Sequence, residues 1–207
     1  MQNNSFARNI ILVDAQHLDH VAFDLIVNFE RMLGRRIPQA DLAHWLDCIA
    51  LDGGLTPGEN DVQVIFIHEQ EKSSLTHFTP SHFDNELNGK AFKDHLGEFT
   101  LASLPIEPIV SRDDLLVQSF ESLLLDAQVE RIMLIADLDG FTDESLRLAQ
   151  RIKQLCATPP TPEQGEALPQ KSITLFGMQP LAGRGFQSEI LGYSLTSAMG
   201  VSGGEFQ

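Results

Sequence analysis

The sequence contains little cysteine, has no long hydrophobic run and begins without a recognisable targeting segment. Only two of its 207 residues are cysteines, Cys48 and Cys156, so a disulfide framework is not expected and a reducing cytoplasm is the predicted location. No apolar run approaches the roughly 20 residues of a membrane helix. The first residues, MQNNSFARN, lack the apolar segment of a signal peptide. We therefore expect a cytoplasmic protein with no membrane partner.

Positive charge is also scarce. Fourteen Lys and Arg stand against 29 Asp and Glu, for a net charge of −15 and a sequence pI near 4.7. Such a surface repels nucleic-acid phosphates unless basic groups are concentrated locally. The small basic clusters are Arg35-Arg36, Lys90/Lys93 and Arg147/Arg151/Lys153. The last has helical spacing, which is also typical of a solvated helix face.

The most informative stretch is RIMLIADLDGF, residues 131–141. A short apolar run without alternation, residues 132–136, predicts a strand covered on both faces, as in a parallel sheet. Asp137 and Asp139 follow where that strand should end. In open α/β sheets ligands bind beyond the carboxyl ends of the strands. The stretch therefore marks a candidate site.

Strand and helix patterns alternate along the rest of the chain, which predicts a single α/β domain over residues 1–207 with a mainly parallel sheet. We expect a variable insertion at about 69–97 with a short helix near 84–94, a Pro-rich loop at 157–170 and a loose tail at about 196–207. The other predicted strands cover 9–13, 62–67, 98–104 (weak or at an edge) and 172–176, and the helices 19–33, 41–51, 111–127, 142–155 and about 186–195.

Acidic residues recur at three points of this pattern: Asp14 after the first strand, Asp113 and Asp114 at the start of a helix, and the pair at 137 and 139. If the first strand neighbours the strand before Asp137, their ends meet at the point where the connections diverge. Carboxylates gathered there must protonate, pair with arginine or hold a cation. Mg²⁺ and Mn²⁺ suit carboxylate and water ligands. Such a cation can activate water for hydrolysis of a phosphodiester.

The arrangement resembles the PIN-like superfamily, particularly its NYN branch of metal-dependent ribonucleases, over about residues 9–176. Asp14 in ILVDAQH matches the aspartate that ends the family's first strand, and SRDDLL carries an acid where a later helix begins. IADLDGF is similar to the family's Ser-Gly-Asp-x-Asp-Phe pattern, while His17 stands where the NYN motif usually has an asparagine.

This resemblance implies a three-layer α/β/α fold with a PIN-like, Rossmannoid sheet. It also implies a Mg²⁺- or Mn²⁺-dependent nuclease, a hydrolase acting on RNA. The implied metal ligands are Asp14, Asp137 and Asp139, which with Asp114 form the implied catalytic set. Whether Asp113 or Asp114 faces the site is open. Arg112 and His17 are candidates for contacts with substrate, although Arg112 could instead pair with the neighbouring acids.

Other interpretations are open at this point. A PIN-like scaffold without turnover would bind a protein partner, and an exposed patch formed by Phe78, Phe83 and Phe92 would favour that function. The segment ADLDGFT also resembles the Asp-x-Asp motif of haloacid-dehalogenase-like phosphatases. That family carries its motif at the start of the fold and needs a downstream lysine and acidic pair. His17 and His20 form an H-x-x-H pair that suits a transition metal or, more commonly, a helix cap or surface.

Overall fold

A computed structural model describes residues 5–162 and 168–206. Its main sheet has seven strands in the order β5-β6-β3-β1-β7-β8-β9. All neighbouring strands run parallel except β5 and β6. The strands are β1 (Asn9–Asp14), β3 (Asn60–Glu69), β5 (Ala91–Asp94), β6 (Gly97–Ile106), β7 (Arg131–Ile135), β8 (Ser172–Gly177) and β9 (Gln187–Ile190), with β2 (Ala40–Asp41) and β4 (Phe78–Thr79) in a separate pair.

In the part of the chain that the structure describes, five α-helices cover the two faces of the sheet. The helices are α1 (Ala15–Leu33), α2 (Leu42–Asp52), α3 (Arg112–Leu125), α4 (Asp143–Ala157) and α5 (Leu191–Ala198). Buried residues of α1, α2 and α5 form one core cluster with one face of the strands. Those of α3 and α4 form a second cluster with the opposite face. The predicted three-layer α/β/α fold with a mainly parallel sheet is therefore confirmed.

Strand β1 occupies the centre of the sheet, between β3 and β7. All six of its residues are buried, because helices cover both faces of a parallel sheet, and this explains its unbroken apolar sequence. Its register with β7 runs from Asn9 opposite Arg131 to Val13 opposite Ile135. The two strands that precede Asp14 and Asp137 are therefore neighbours in the sheet. Their carboxyl ends define the switch point, where the connections from adjacent strands diverge to opposite faces.

The first helix begins earlier than the apolar periodicity predicts. The sequence predicts that this helix starts at residue 19, where Asp19 is a plausible N-cap. Asp14 caps the helix instead and accepts a hydrogen bond from the backbone N–H of His17. Asp19 accepts from the backbone N–H of His77 at 2.8 Å. Both aspartates have capping chemistry, so sequence alone does not distinguish them. The consequence is that Asp14 ends a strand and starts a helix.

The segment 69–97 departs most from expectation. The predicted helix near 84–94 is wrong: one π-helical turn, Phe83–Leu87, is followed by strand β5. Strand β5 forms an antiparallel hairpin with β6, which is therefore not an edge strand and pairs with β3 over ten residues. Phe92 stacks on Phe99 with ring centroids 4.7 Å apart. The hairpin contacts are local, from Ala91 opposite Thr100 to Asp94 opposite Gly97, but the four residues of β5 are too few to distinguish strand spacing from helical spacing.

The end of the chain packs against the first two helices. Strand β9 and helix α5 take the place of the helix predicted at 186–195, and a 3-10 turn, Gly203–Phe206, follows. Val201 is buried, and Arg35 Nε donates to Glu205 Oε2 at 2.9 Å.

Part of the predicted Pro-rich loop, residues 163–167, lies outside the described residues, as do residues 1–4 and 207. Within the described chain, no helix combines the length and apolarity needed to span a membrane.

Candidate functional site at the switch point of the sheet

Asp14 is the most deeply buried acid at the carboxyl ends of the strands, with 1% of its surface exposed. Its Oδ1 accepts the capping hydrogen bond from His17 N at 3.2 Å. Its Oδ2 is buried and has no hydrogen-bond partner among the described residues. Burial raises the pKa of Asp14, and the nearby Arg112 guanidinium opposes that shift. A buried carboxylate oxygen without a partner is costly, so this position calls for a ligand or a function.

His17 faces the same place from the first turn of α1. Its Nε2 is buried and has no hydrogen-bond partner in the described structure. Burial lowers the pKa of His17, while the charges of Asp14, Asp137 and Asp139 act to raise it. Because β1 and β7 pair side by side, with Val13 opposite Ile135, the residues that follow them, Asp14, Asp137, Asp139 and His17, lie at the same edge of the sheet.

Asp137 and Asp139 also shape the loop between β7 and α4. Asp137 Oδ1 accepts from Gly140 N at 3.0 Å, and its Oδ2 accepts from the Ser145 hydroxyl. A side chain at position 140 would collide with the Asp137 carboxylate, so glycine is required for this approach. Asp139 Oδ2 accepts from Gln179 N at 2.8 Å, which ties the loop to the end of β8. Both carboxylates are thus held in defined orientations.

Helix α3 supplies a cation to the site. Arg112 Nε lies 3.5 Å from Asp14 Oδ2 and 3.8 Å from Asp113 Oδ1. Asp114 turns away: it accepts from the Ser111 hydroxyl and forms a 2.9 Å ion pair with Arg151, and these contacts lower its pKa. Of the two acids left open by the sequence, Asp113 is the one beside Arg112 and Asp14. The side chain predicted as catalytic at position 114 lies outside this group.

A crevice opens between the N-terminal ends of α3 and α4. It consists of a cavity of about 220 Å³ and a shallower one of about 590 Å³, which share Arg112, Asp113, Glu144 and Leu148. Asp137 and Ser145 line the smaller cavity, and Arg147 and Arg151 the larger one. Arg147 and Arg151 are spaced i, i+4 on α4 and so lie on one helix face. Acidic and basic groups therefore meet in one crevice.

The fit of a metal ion to this site can be tested on the ligand atoms. Among residues 5–162 and 168–206, one set of three His, Cys, Asp or Glu side chains has ligand atoms within 4.8 Å of one another: Asp47, Asp94 and His95. The acids at the ends of β1 and β7 do not form such a set. Arg112 instead supplies the positive charge nearest to Asp14. A cation at the switch point would need Arg112 to move.

Some functional candidates had no clear signal in the sequence. Ser145, which bonds Asp137, looks like an ordinary residue of a helix first turn. The set Asp47, Asp94 and His95 comes from a helix and a hairpin that only the fold brings together. The apolar patch expected from three phenylalanines is absent at those positions. Phe78 and Phe83 are buried, and Phe92 packs against the core.

The fold and this crevice define a three-layer α/β protein with an acidic switch point, a class that holds many activities. Residues 3–206 match a family of unknown function, DUF6621. Because the match covers almost the whole chain, the protein belongs to that family. No curated protein and no solved structure matches the chain.

Proposed function

We propose that this protein is a Mg²⁺- or Mn²⁺-dependent phosphodiesterase that acts on RNA in the cytoplasm, with its active site at the switch point. The observation that carries the proposal is the buried Oδ2 of Asp14, which accepts no hydrogen bond among the described residues and is faced by Arg112 Nε at 3.5 Å. The unpartnered Nε2 of His17 and the carboxylates of Asp113 and Asp137 accompany it. The resemblance of the acidic motifs to PIN-like NYN domains supports the same function. Carboxylate oxygens are ligands of a hard divalent cation that can activate water, and binding here requires Arg112 to move so that the carboxylates can converge.

The roles follow from the contacts of each group. Asp14, Asp137 and Asp139 would hold the cation, which when bound supplies an acidified water and polarises the phosphoryl group. Asp113 replaces Asp114 as the fourth acid of the proposed site. His17, which burial keeps neutral to lower pH, is suited to accept a proton from water at neutral pH. Ser145 and Gly140 would position Asp137.

Arg112 has two roles in this proposal. Without a cation it neutralises Asp14 and Asp113, to which its Nε lies at 3.5 and 3.8 Å. With a cation present it would turn into the crevice that it already lines and contact a phosphate of the RNA. Arg147 and Arg151 also border the larger cavity, so a backbone lying there would meet three arginines among four carboxylates, those of Glu69, Asp113, Asp114 and Glu144.

A scaffold that binds a protein partner without turnover is the second candidate. It is favoured by one observation: Arg112 already neutralises Asp14, and both oxygens of Asp137 accept hydrogen bonds within the chain. The phosphatase interpretation is weaker. Lys171, one of two lysines after the Asp-x-Asp motif, donates to the carbonyl groups of Asp126 and Val129, which precede β7 at the opposite end of the sheet.

Calorimetric titration with Mn²⁺ and Mg²⁺ tests the proposal without assuming a substrate. We expect saturable binding to the wild type and its loss in Asp14→Asn and Asp137→Asn. Asparagine can still cap α1, so Asp14→Asn removes charge and keeps the fold. Asp114→Asn is the matched control, because its side chain faces Arg151 rather than Asp14. Cleavage of a single-stranded RNA oligonucleotide should then require Mn²⁺ or Mg²⁺ and be lost in the same two variants.

Each alternative result has a defined meaning. Equal binding by the wild type and Asp14→Asn would refute a metal site at the switch point. Absence of binding at millimolar metal, together with no cleavage of RNA, would favour the scaffold. If Arg112 competes with the cation as proposed, Arg112→Ala should bind metal more tightly and RNA more weakly than the wild type.

A further inference from the structure

A second group of potential metal ligands lies on the other side of the sheet from α3 and α4. Asp47 projects from α2, Asp94 ends β5, and His95 follows in the hairpin turn. One ligand atom from each lies within 4.8 Å of the other two. An imidazole therefore converges on the two carboxylates, so the group is more than a cluster of acids.

The three positions are held by the fold before any ligand binds. Asp41 caps α2 by accepting from His44 N at 3.1 Å, which fixes the start of the helix that carries Asp47. Leu96 N donates to Asp94 Oδ1 at 2.7 Å and orients that carboxylate. The carbonyl of His95 accepts from Gly58 N at 3.0 Å, and Asn60 Nδ2 donates to the carbonyl of Leu96.

No positive side chain balances this group in the described structure. Neither Asp47 nor Asp94 has a lysine or arginine within 4.0 Å there. Asp47 Oδ1 is buried and lacks a hydrogen-bond partner. Burial, with the Asp94 carboxylate adding to it, raises the pKa of Asp47 to about 7. Two carboxyl groups so close must share a proton or a cation, and the converging imidazole favours a cation.

We propose that Asp47, Asp94 and His95 bind a transition-metal dication of the Zn²⁺ type, which ties α2 to the β5–β6 hairpin. One nitrogen and two oxygen donors suit Zn²⁺ and are less suited to Mg²⁺, which prefers six oxygen ligands. His95 is exposed, whereas the two aspartates are partly buried, so water can complete the coordination from the solvent side. This site is independent of the switch point and of the activity proposed there.

Calorimetric and thermal-unfolding titrations with Zn²⁺ test this site on the whole chain. In the Asp14→Asn variant, which lacks the metal site proposed at the switch point, we expect one saturable Zn²⁺ binding event that raises the unfolding temperature and that Mg²⁺ does not reproduce. Affinity should fall at least about tenfold in Asp94→Asn and His95→Ala, since even the loss of an outer-shell partner costs that much. His20→Ala is the matched control, because His20 is also an exposed histidine beside a carboxylate, Asp24, at 3.4 Å.

The outcomes separate this site from its alternatives. Zinc affinity that is unchanged in His95→Ala, or that falls equally in His20→Ala, would overturn the proposal. So would a lack of binding at millimolar Zn²⁺, which would leave a proton shared between Asp47 and Asp94. Because His95 is exposed, His95→Ala is expected to fold even if an aspartate variant does not. Zinc binding retained in Asp14→Asn would show that the two sites are separate.

Discussion

At the scale of single residues, burial decides which polar groups are chemically available. Asp14 and Cys156 are both almost fully buried, yet only Asp14 has neighbouring charged groups. The pKa of the Cys156 thiol is raised from 9.0 to about 12 by burial alone. Cys48, which lies on α2, is partly exposed. The two thiols are therefore expected to differ in reactivity.

We predict that a thiol-specific reagent at pH 8 modifies Cys48 in the native protein and modifies Cys156 only after unfolding. The thiolate is the reactive form, and its fraction falls tenfold for each unit of pKa, so at pH 8 Cys156 should hold roughly a thousandth of the thiolate of a thiol with the ordinary pKa of 9.0. Mass spectrometry of the labelled protein would measure both sites. Rapid native labelling of Cys156 would contradict the buried position of that side chain.

The raised pKa of Cys156 also determines how the stability of the folded protein changes at alkaline pH. The folded state retains the Cys156 proton to higher pH than the unfolded state, whose thiol titrates near 9.0. The folded protein should therefore lose stability as pH rises above 9.0, and Cys156→Ala should lose less than the wild type over that range. Urea unfolding of both proteins at pH 8 and pH 10 provides the comparison.

At the scale of elements, one buried hydrogen bond joins α2 to α5. Trp45 Nε1 donates to Ser194 Oγ at 3.1 Å, and Ser194 in turn donates to the carbonyl of Leu191. Both side chains are buried, so water cannot replace a missing partner. The bond links helices that are distant in sequence.

We predict that Ser194→Ala lowers the free energy of unfolding by about 1–3 kcal/mol, because it leaves the Trp45 N–H buried without a partner. Ser197→Ala is the control on the same helix. Ser197 Oγ forms a 2.8 Å hydrogen bond with His44 Nε2 at the exposed surface. Water can replace a partner there, so the change should cost less than about 0.5 kcal/mol. Chemical denaturation followed by Trp45 fluorescence measures both. Equal values for the two variants would contradict the assigned role of Ser194.

Elements were predictable from sequence where local pattern and final contacts agree. The apolar runs of β1 and β7 require cover on both faces, and both strands lie at the centre of the sheet. The hairpin of β5 and β6 was missed although its pairing is local, because the four residues of β5 are too few to distinguish strand spacing from helical spacing. At the candidate site, Asp14, Asp137 and Asp139 were proposed from their positions after strands, and their role as site residues stays a prediction. Asp113 and Asp114 could not be distinguished, because the sequence does not say which side of α3 faces the ends of β1 and β7. The structure places Asp113 beside Arg112.

At the scale of the whole molecule, a chain with a net charge of −15 can bind RNA only through a local basic region. Arg112, Arg147 and Arg151 are the cations lining the proposed crevice. Three phosphate contacts predict that the logarithm of the RNA association constant falls with the logarithm of salt concentration with a slope of about −2. Most of the surface would repel the same ligand.

This slope can be measured by fluorescence anisotropy with a labelled single-stranded RNA at several salt concentrations. Arg147→Ala and Arg151→Ala should each weaken binding and make the slope less steep by about one unit or slightly less. Arg35→Ala is the matched control, since Arg35 pairs with Glu205 far from the crevice. If Arg35→Ala has the same effect as Arg147→Ala, RNA does not bind in the crevice.

The contact between α2 and α5 also has a consequence during synthesis. Trp45, Leu46 and Ile49 share a core cluster with Leu191 and Leu195, which the ribosome adds much later. At cellular elongation rates the delay is on the order of ten seconds. Throughout that interval the apolar side of α2 lacks its final cover. The nascent chain, rather than the finished protein, is therefore the form that most needs a chaperone.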